Sequence, residues 1–387
     1  MTGQITKNQH YIPQSLLAHF ADAKGKIFEV LVQSKKVFPT NISSTMCETY
    51  IYEHDKLPVN TIENYFAKIE GEVSPLVVEL IESIKKLKKQ EVSIEVIKEN
   101  VTKLLSNFLV FYYRSGALLT EFSSVNKKDK IPLLSEKILD HDYINKLSEA
   151  IVNFYDFAII ESSDNFLLSD QFISTSALKI KTQFSNLSNR HIGLNETIIL
   201  IPISSSFYAV FWNTKADFFI KNDEINILNE SQLSLINNTI INNSYIKCVG
   251  RKTESIESVL ENYRWASPTN IYAGGNPPGY YMGATKKKEV FFFEEERKAY
   301  DLLDNMTIMM YRNLGRNDPC VCNSGKKFKK CHLDAYNRIN TIMLTFGRSQ
   351  RENMREFLIY GIPIIEKPID EWSGFSKLKA KSKQVLT

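Results

Sequence analysis

An α+β fold is what this chain predicts, and three features predict it. Residues 60–114 repeat apolar side chains at helical spacing. The middle of the chain breaks into short apolar, β-branched runs separated by turn residues. Near the end, three of the five cysteines and one of the six histidines fall within Cys320–His332. The expected architecture is a helix-rich N-terminal body carrying a mixed or antiparallel sheet, with a small cysteine-centred module near the C-terminus. A length of 387 residues suffices for more than one folding unit. The body is placed at residues 1–265, a connecting segment with a Gly/Pro loop at 266–310, the module at 311–340, and a C-terminal extension with a basic tail at 341–387.

Taken in chain order, Pro13 suits the first turn of a short helix that brings Leu16, Leu17 and Phe20 to one side. Lys26–Leu31 alternates and is expected to pair with Lys36–Phe38 as a hairpin. Asn60-x-x-Glu63 has the form of a capping box, opening a helix whose buried stripe is Ile62, Phe66, Ile69 and Val73. A second helix begins near Ser93 and carries Ile94, Ile97, Val101, Leu104, Leu105, Phe108 and Tyr112 into Arg114. Strands are expected at Phe157–Glu161 and Phe166–Leu168, and a buried hairpin at Thr197–Ile203 and Phe207–Trp212. Asn229-x-x-Gln232 caps a helix running to about Asn243, and Arg251–Arg264 reads as helical. The run Gly274-Gly275-Asn276-Pro277-Pro278-Gly279 marks a loop and a boundary. Past the module, Thr341–Phe346 reads as a strand, Arg351–Tyr360 as a helix, and Lys377–Lys383 as a frayed basic tail.

The cysteine-rich run carries the most specific chemistry. Cys320 and Cys322 form one close pair and Cys331 with His332 another, joined by a loop containing Asn323, Ser324 and Gly325. Thiolate and imidazole in two close pairs are what a tetrahedral zinc ion takes, and four protein ligands leave no open position for water. The site is therefore expected to hold structural Zn2+. Lys326, Lys327, Lys329 and Lys330 stand in the same loop. Three thiolates, one neutral imidazole and Zn2+ sum to −1, so four lysines exceed local balance and offer a surface for nucleic acid or an acidic partner. The wider charge distribution agrees. Residues 311–387 hold 15 Lys+Arg against 7 Asp+Glu, or +8, which leaves −4 for residues 1–310 out of the net +4.

Gly315–His332 closely resembles the SEC-C motif, the metal-binding module best known from the tail of the bacterial preprotein translocase ATPase. Val321 and Asn323 replace the usual proline and glycine, and neither is a ligand. The resemblance implies zinc on Cys320, Cys322, Cys331 and His332. In the translocase the similar module docks a partner protein and acidic lipid, which makes a docking role for this one an expectation.

The first 250 residues are similar to a microbial family known only as a domain of unknown function, number 4238. The similarity is carried by Asn8-Gln9-His10-Tyr11-Ile12-Pro13 with Phe20, by Glu63, Glu70 and Arg114, and by Ser169-Asp170, Ile201-Pro202-Ile203-Ser204 and Asn237. Gln171-Phe172 stands where that family continues with Asn-Pro. The resemblance implies no established activity, so the residues must be read directly. His10 as general base or metal ligand, Glu70 and Asp170 as carriers of a divalent metal or a proton, and Arg114 as a phosphate clamp would suit phosphoester hydrolysis of a nuclease-like kind. A bacterial defence or stress role is the setting the resemblance suggests. The same residues also read structurally: His10 bonded to backbone, Glu70 and Arg114 as a buried ion pair, Asp170 as acceptor at a turn. A non-catalytic adaptor docking through its zinc module is thus the alternative.

Other classes are excluded by absent signals. There is no phosphate-binding Gly-x-x-x-x-Gly-Lys-[Ser/Thr] run, no dinucleotide fingerprint and no Gly-x-Ser-x-Gly elbow. No apolar run approaches the ~20 residues that span a bilayer. An N-terminus without a signal-peptide core and two further cysteines, Cys47 and Cys248, that form no disulfide framework point to a cytoplasmic setting.

Overall fold

The computed structural model describes residues 5–54, 57–115, 141–179, 192, 196–214, 216–264, 269–274, 281–286, 290–304 and 310–346. The chain opens with strand β1 (Asn8–His10), helix α1 (Gln14–Leu17) and a single 3-10 turn (Ala18–Phe20). Strands β2 (Lys26–Leu31), β3 (Lys36–Asn41) and β4 (Cys47–Thr49) follow. Two long helices come next, α2 (Thr61–Lys88) and α3 (Ile94–Arg114). α2 buries Ile62, Phe66, Ile69, Val73, Val77, Leu80 and Ile84 on one stripe, the spacing of a helix lying on a core. α3 begins with a similar stripe, but from Phe108 to Arg114 every residue is buried. Its C-terminal turns therefore sit inside the body, and this fixes where Arg114 must find partners.

After helix α4 (His141–Phe154) the chain becomes sheet-forming, with β5 (Asp156–Glu161), β6 (Leu167–Ser169), β7 (Ser174–Ala177), β8 (Thr197–Pro202), β9 (Phe207–Asn213) and β10 (Ile225–Ile227). Helix α5 (Glu230–Asn243), β11 (Lys247–Gly250) and helix α6 (Thr253–Leu260) close the body. The larger sheet has the order β10-β5-β9-β8-β7, antiparallel except for the parallel pair of β10 with β5. The smaller has the order β3-β2-β11-β6 and is antiparallel throughout. Pro39 lies in β3, at the edge of that sheet, where a missing N–H costs no ladder bond. Since β2 and β3 come from near the start of the chain and β11 from its second half, neither part completes the sheet alone.

The hairpin expected at residues 197–212 is β8 and β9, paired from Thr197↔Asn213 to Pro202↔Tyr208. The capping box at Asn229 also forms, with its side chain accepting from Gln232 N at 2.9 Å and Gln232 accepting from Asn229 N at 3.0 Å. Three expectations are corrected. Asn60 caps nothing with its side chain: its backbone is left-handed, at φ 60°, and its side-chain oxygen accepts instead from Thr6 N at 3.1 Å. The stretch Arg251–Arg264 is helical only over Thr253–Leu260. Thr341–Phe346 is the end of a helix, not a strand. There the helix is already nucleated by Tyr336 N donating to the His332 carbonyl at 2.8 Å, and propagation overrides the β preference of Thr341 and Ile342.

Beyond the body, β12 (Thr269–Gly274) and β13 (Tyr281–Lys286) pair antiparallel, and the Gly/Pro run between them lies outside the described residues. So do the C-terminal helix and basic tail expected beyond Phe346. Helix α7 (Glu294–Asp304) and helix α8 (Leu333–Phe346) frame the module. Before α7, Val290–Phe292 runs along the free edge of β7: Ala177 N donates to the Val290 carbonyl and Phe292 N to the Ala177 carbonyl, both at 2.9 Å. A second apolar cluster gathers Ala177, Phe291, Ala299, Tyr300, Tyr311, Cys320, Phe328, Ala335 and Ile339. The module thus shares an apolar cluster with α7 and with the 290–292 segment that lines the edge of the larger sheet.

Replacing Asn229 by alanine removes the cap of α5 and should lower stability by about 1 kcal/mol. A urea unfolding curve that does not shift would contradict the reciprocal cap.

Candidate metal centre and the buried cluster of the body

The four expected ligands meet. Cys320 Sγ lies 3.3 Å from His332 Nδ1, Cys331 Sγ 3.2 Å from the same nitrogen, and Cys322 Sγ 3.5 Å from Cys331 Sγ. One donor atom from each of the four falls within 4.8 Å of every other. A zinc ion with bonds of about 2.0–2.3 Å separates its tetrahedral ligands by roughly 3.5–3.8 Å, so the cluster fits that ion. The local chain explains why. Asp318 fixes the entry, accepting from Gly315 N at 2.7 Å, and Phe328 N donates to the Asp318 carbonyl at 2.8 Å. Cys320 N donates to the Lys326 carbonyl at 2.9 Å, closing the loop between the ligand pairs. Asn323 has φ 60° and Gly325 φ 70°. Asparagine is among the few side chains that tolerate this left-handed backbone, which accounts for its standing in a glycine's place. A 3-10 turn, Phe328–Lys330, then delivers Cys331 and His332.

Cys320 is buried, Cys322 exposed, and Cys331 and His332 half-buried. Burial pushes the Cys320 thiol up to about 11. At Cys322 burial acts in the same direction, but hydrogen bonds from Ser324 and the neighbouring thiols outweigh it and bring the group down to about 7. Burial lowers the His332 pKa, the direction that favours the neutral imidazole a metal ligand needs. Tyr311 lies against the site, its ring 5.4 Å from His332 and 5.7 Å from Phe328. Ser324, which carries no ligand signal in the sequence, places Oγ 3.1 Å from Cys322 Sγ and 3.3 Å from Cys331 Sγ. Lys326, Lys327, Lys329 and Lys330 are all exposed and form no ion pair among the described residues.

In the body, His10, Glu70 and Arg114 come together. Arg114 is 1% exposed, and its guanidinium lies 4.3 Å from the centre of the Phe66 ring. It donates to Glu70 Oε1 at 2.5 Å, to the Tyr52 hydroxyl at 3.3 Å and to the backbone carbonyl of His10. His10 thus enters through its main chain, while its ring Nε2 lies 3.2 Å from the Ile42 carbonyl. Burial lowers the His10 pKa, only partly offset by that hydrogen bond. Asp170 serves a different junction, accepting from the backbone N–H groups of Tyr245, Ile246 and Lys247 at 3.0, 2.7 and 3.0 Å and so holding the start of β11 beside β6. Glu63 lies half-buried near Arg114 with Oε2 unpartnered. Burial raises its pKa and so do Glu70 and Glu53, against the lowering by Arg114. Sequence reasoning did not find Phe66 and Tyr52 as partners of Arg114. Phe66 is four residues before Glu70 on α2, a spacing that puts both on one face, but nothing local marks Tyr52. Among the described residues, no second group of His, Cys, Asp and Glu side chains gathers closely enough to hold a metal ion, and no described helix is long and apolar enough to cross a membrane.

Comparison with known families agrees with both parts of the chain. The family described as "Protein of unknown function (DUF4238)" matches residues 8–154, and the SEC-C motif matches residues 316–334. No curated protein and no solved structure matches. The first match takes in His10, Glu63, Glu70 and Arg114 and ends before Asp170. The second contains all four metal-type ligands.

Two consequences are measurable. Arg114→Met leaves Glu70 and the His10 carbonyl without their donor and should cost about 3–5 kcal/mol in urea unfolding. An Arg114→Met/Glu70→Met double variant should recover part of that loss; a single variant as stable as the parent would contradict the buried pair. Because the folded pKa of Glu63 is raised, its ionisation opposes folding as pH climbs through the carboxylate range. Glu63→Gln should therefore be more stable than the parent at pH 7, with the difference vanishing below about pH 4.

Proposed function

We propose that this protein binds polyanions through its zinc module, with the phosphate backbone of a nucleic acid as the ligand. The observation that carries this reading is the loop bearing Lys326, Lys327, Lys329 and Lys330, exposed on a metal-type cluster and free of ion pairs among the described residues. Zinc supplies folding energy to a loop too short for a core of its own and holds the lysines in fixed register. The aromatic rings of the module do not offer a base-stacking platform: Tyr311 and Phe328 are buried and Tyr336 packs against Phe328. Contact is therefore with backbone phosphate and independent of sequence. The body serves as scaffold in this reading, since Arg114 and Asp170 are engaged in bonds that join its segments. Free thiols at Cys47 and Cys248 suit a reducing, cytoplasmic location, and the defence or stress setting rests on the family resemblance alone.

Titrating salt against binding to a mixed-sequence duplex tests this reading. Each neutralised phosphate contributes about −0.9 to the slope of log K against log salt, so four lysines give roughly −2 to −4. Exchange of all four lysines for glutamine should flatten the slope and abolish binding at moderate salt. A parent slope near zero refutes the proposal.

A second reading, phosphoester hydrolysis in the body, is favoured by the pairing of Glu70 and Arg114 side chains beside the main chain of His10. It requires divalent-metal-dependent cleavage of an oligonucleotide that His10→Ala removes while the fold persists. Equal cleavage by parent and variant, or none by either, eliminates it.

A further inference from the structure

We infer that Cys322 is an oxidation site: a hydroperoxide converts Cys322 and Cys331 to a disulfide and thereby expels the metal ion. The inference concerns the chain's own sulfurs and rests on the zinc reading of the site. Three observations single out this pair. Cys322 is the most open residue of the three cysteines, whereas Cys320 is 4% exposed and belongs to the apolar cluster with Tyr311 and Phe328. Cys322 Sγ and Cys331 Sγ lie 3.5 Å apart, so a bond between them requires only a short approach. The Ser324 hydroxyl lies within 3.3 Å of both sulfurs, placed to donate to a thiolate or to a departing hydroxide. Residues 322–331 also contain four lysines and no acid, the electropositive and accessible setting in which thiolates react.

The chemistry balances with hydrogen peroxide as oxidant. The Cys322 thiolate attacks one peroxide oxygen; the S–O bond forms, the O–O bond breaks, and the departing hydroxide takes up a proton. The Cys331 thiolate then attacks the Cys322 sulfur; the S–S bond forms, the S–O bond breaks, and a second hydroxide leaves and is protonated. Two thiolates, one peroxide and two protons thus give one disulfide and two waters. The sulfurs lose two electrons and the peroxide gains them. Cys320 and His332 remain, two ligands where a structural zinc site uses four, and the ion departs. The new bond spans the segment that carries all four lysines, so oxidation resets the basic surface as it empties the site.

The test uses the full-length, zinc-loaded chain treated with stoichiometric hydrogen peroxide. Free zinc is followed with a chromophoric chelator, and disulfides are mapped by mass spectrometry of peptides. The expected result is release of one zinc per chain together with a Cys322–Cys331 disulfide, both reversed by a dithiol reductant with added zinc. Cys322→His keeps a fourth ligand but removes the attacking sulfur and should release zinc about tenfold more slowly or not at all. Ser324→Ala should hold zinc as the parent does and release it several-fold more slowly. Retention of zinc by the oxidised parent, a disulfide mapped to Cys320, or unchanged release from Cys322→His overturns the inference. Zinc content before oxidation tests the zinc reading by itself, so the two fail separately.

Discussion

The guanidinium of Arg114 holds the body together. A charge that is 1% exposed is tolerated only when paired and hydrogen-bonded, and here the partners come from three separated segments. They are the His10 carbonyl on β1, Glu70 and Phe66 on α2, and Tyr52 after β4, gathered at the last residue of α3. Tyr52 returns its own hydroxyl proton to the Arg114 carbonyl at 3.4 Å, satisfying an acceptor at the C-terminal end of α3. The apolar stripes of α2 and α3 allow several registers. A single buried guanidinium with fixed donors permits one.

Asp170 does comparable work at a second junction of the body with the opposite charge. Three backbone N–H groups at the entry to β11 converge on its carboxylate. β11 lies between β2 and β6, so one side chain sets the strand that joins the first tenth of the chain to its middle. Arg114 and Asp170, two of the four residues that attract a catalytic reading by their chemistry, are thus each bonded to several parts of the frame.

The Cys/His module solves a different problem, that of size. Its own apolar residues are few, and its core is completed by Ala177, Phe291, Ala299 and Tyr300 from outside. The apolar cluster shared with Phe291 and Tyr300 and an ion pair from Arg338 to Glu296 orient it, and four clustered ligands fix its loop. The lysines are then carried on a folded loop between the two ligand pairs rather than on a free tail.

Local signals were legible and nonlocal ones were not. The stripes of α2 and α3, the β8–β9 hairpin, the Asn229 cap and the metal-type spacing all depend on residues within a few turns of each other. Asn60 was misread because Ser, Thr, Asp and Asn before Glu look alike whether or not the backbone reaches a capping geometry; here it is left-handed and bonded to Thr6. Thr341–Phe346 was misread because β propensity is weak against a helix already running. β11 gave too short a signal, four residues long, and its partners lie far away in sequence.

By itself, the sequence determined an α+β chain with a closed Cys/His metal-type site and a surplus of lysine beside it, because ligand identity, spacing and charge are properties of neighbouring residues. Tertiary structure decided what His10, Glu70, Arg114 and Asp170 do. Whether a carboxylate or guanidinium meets substrate or backbone depends on which distant segments surround it, and burial against Phe66, Tyr52 and the start of β11 is set only when the whole body has packed.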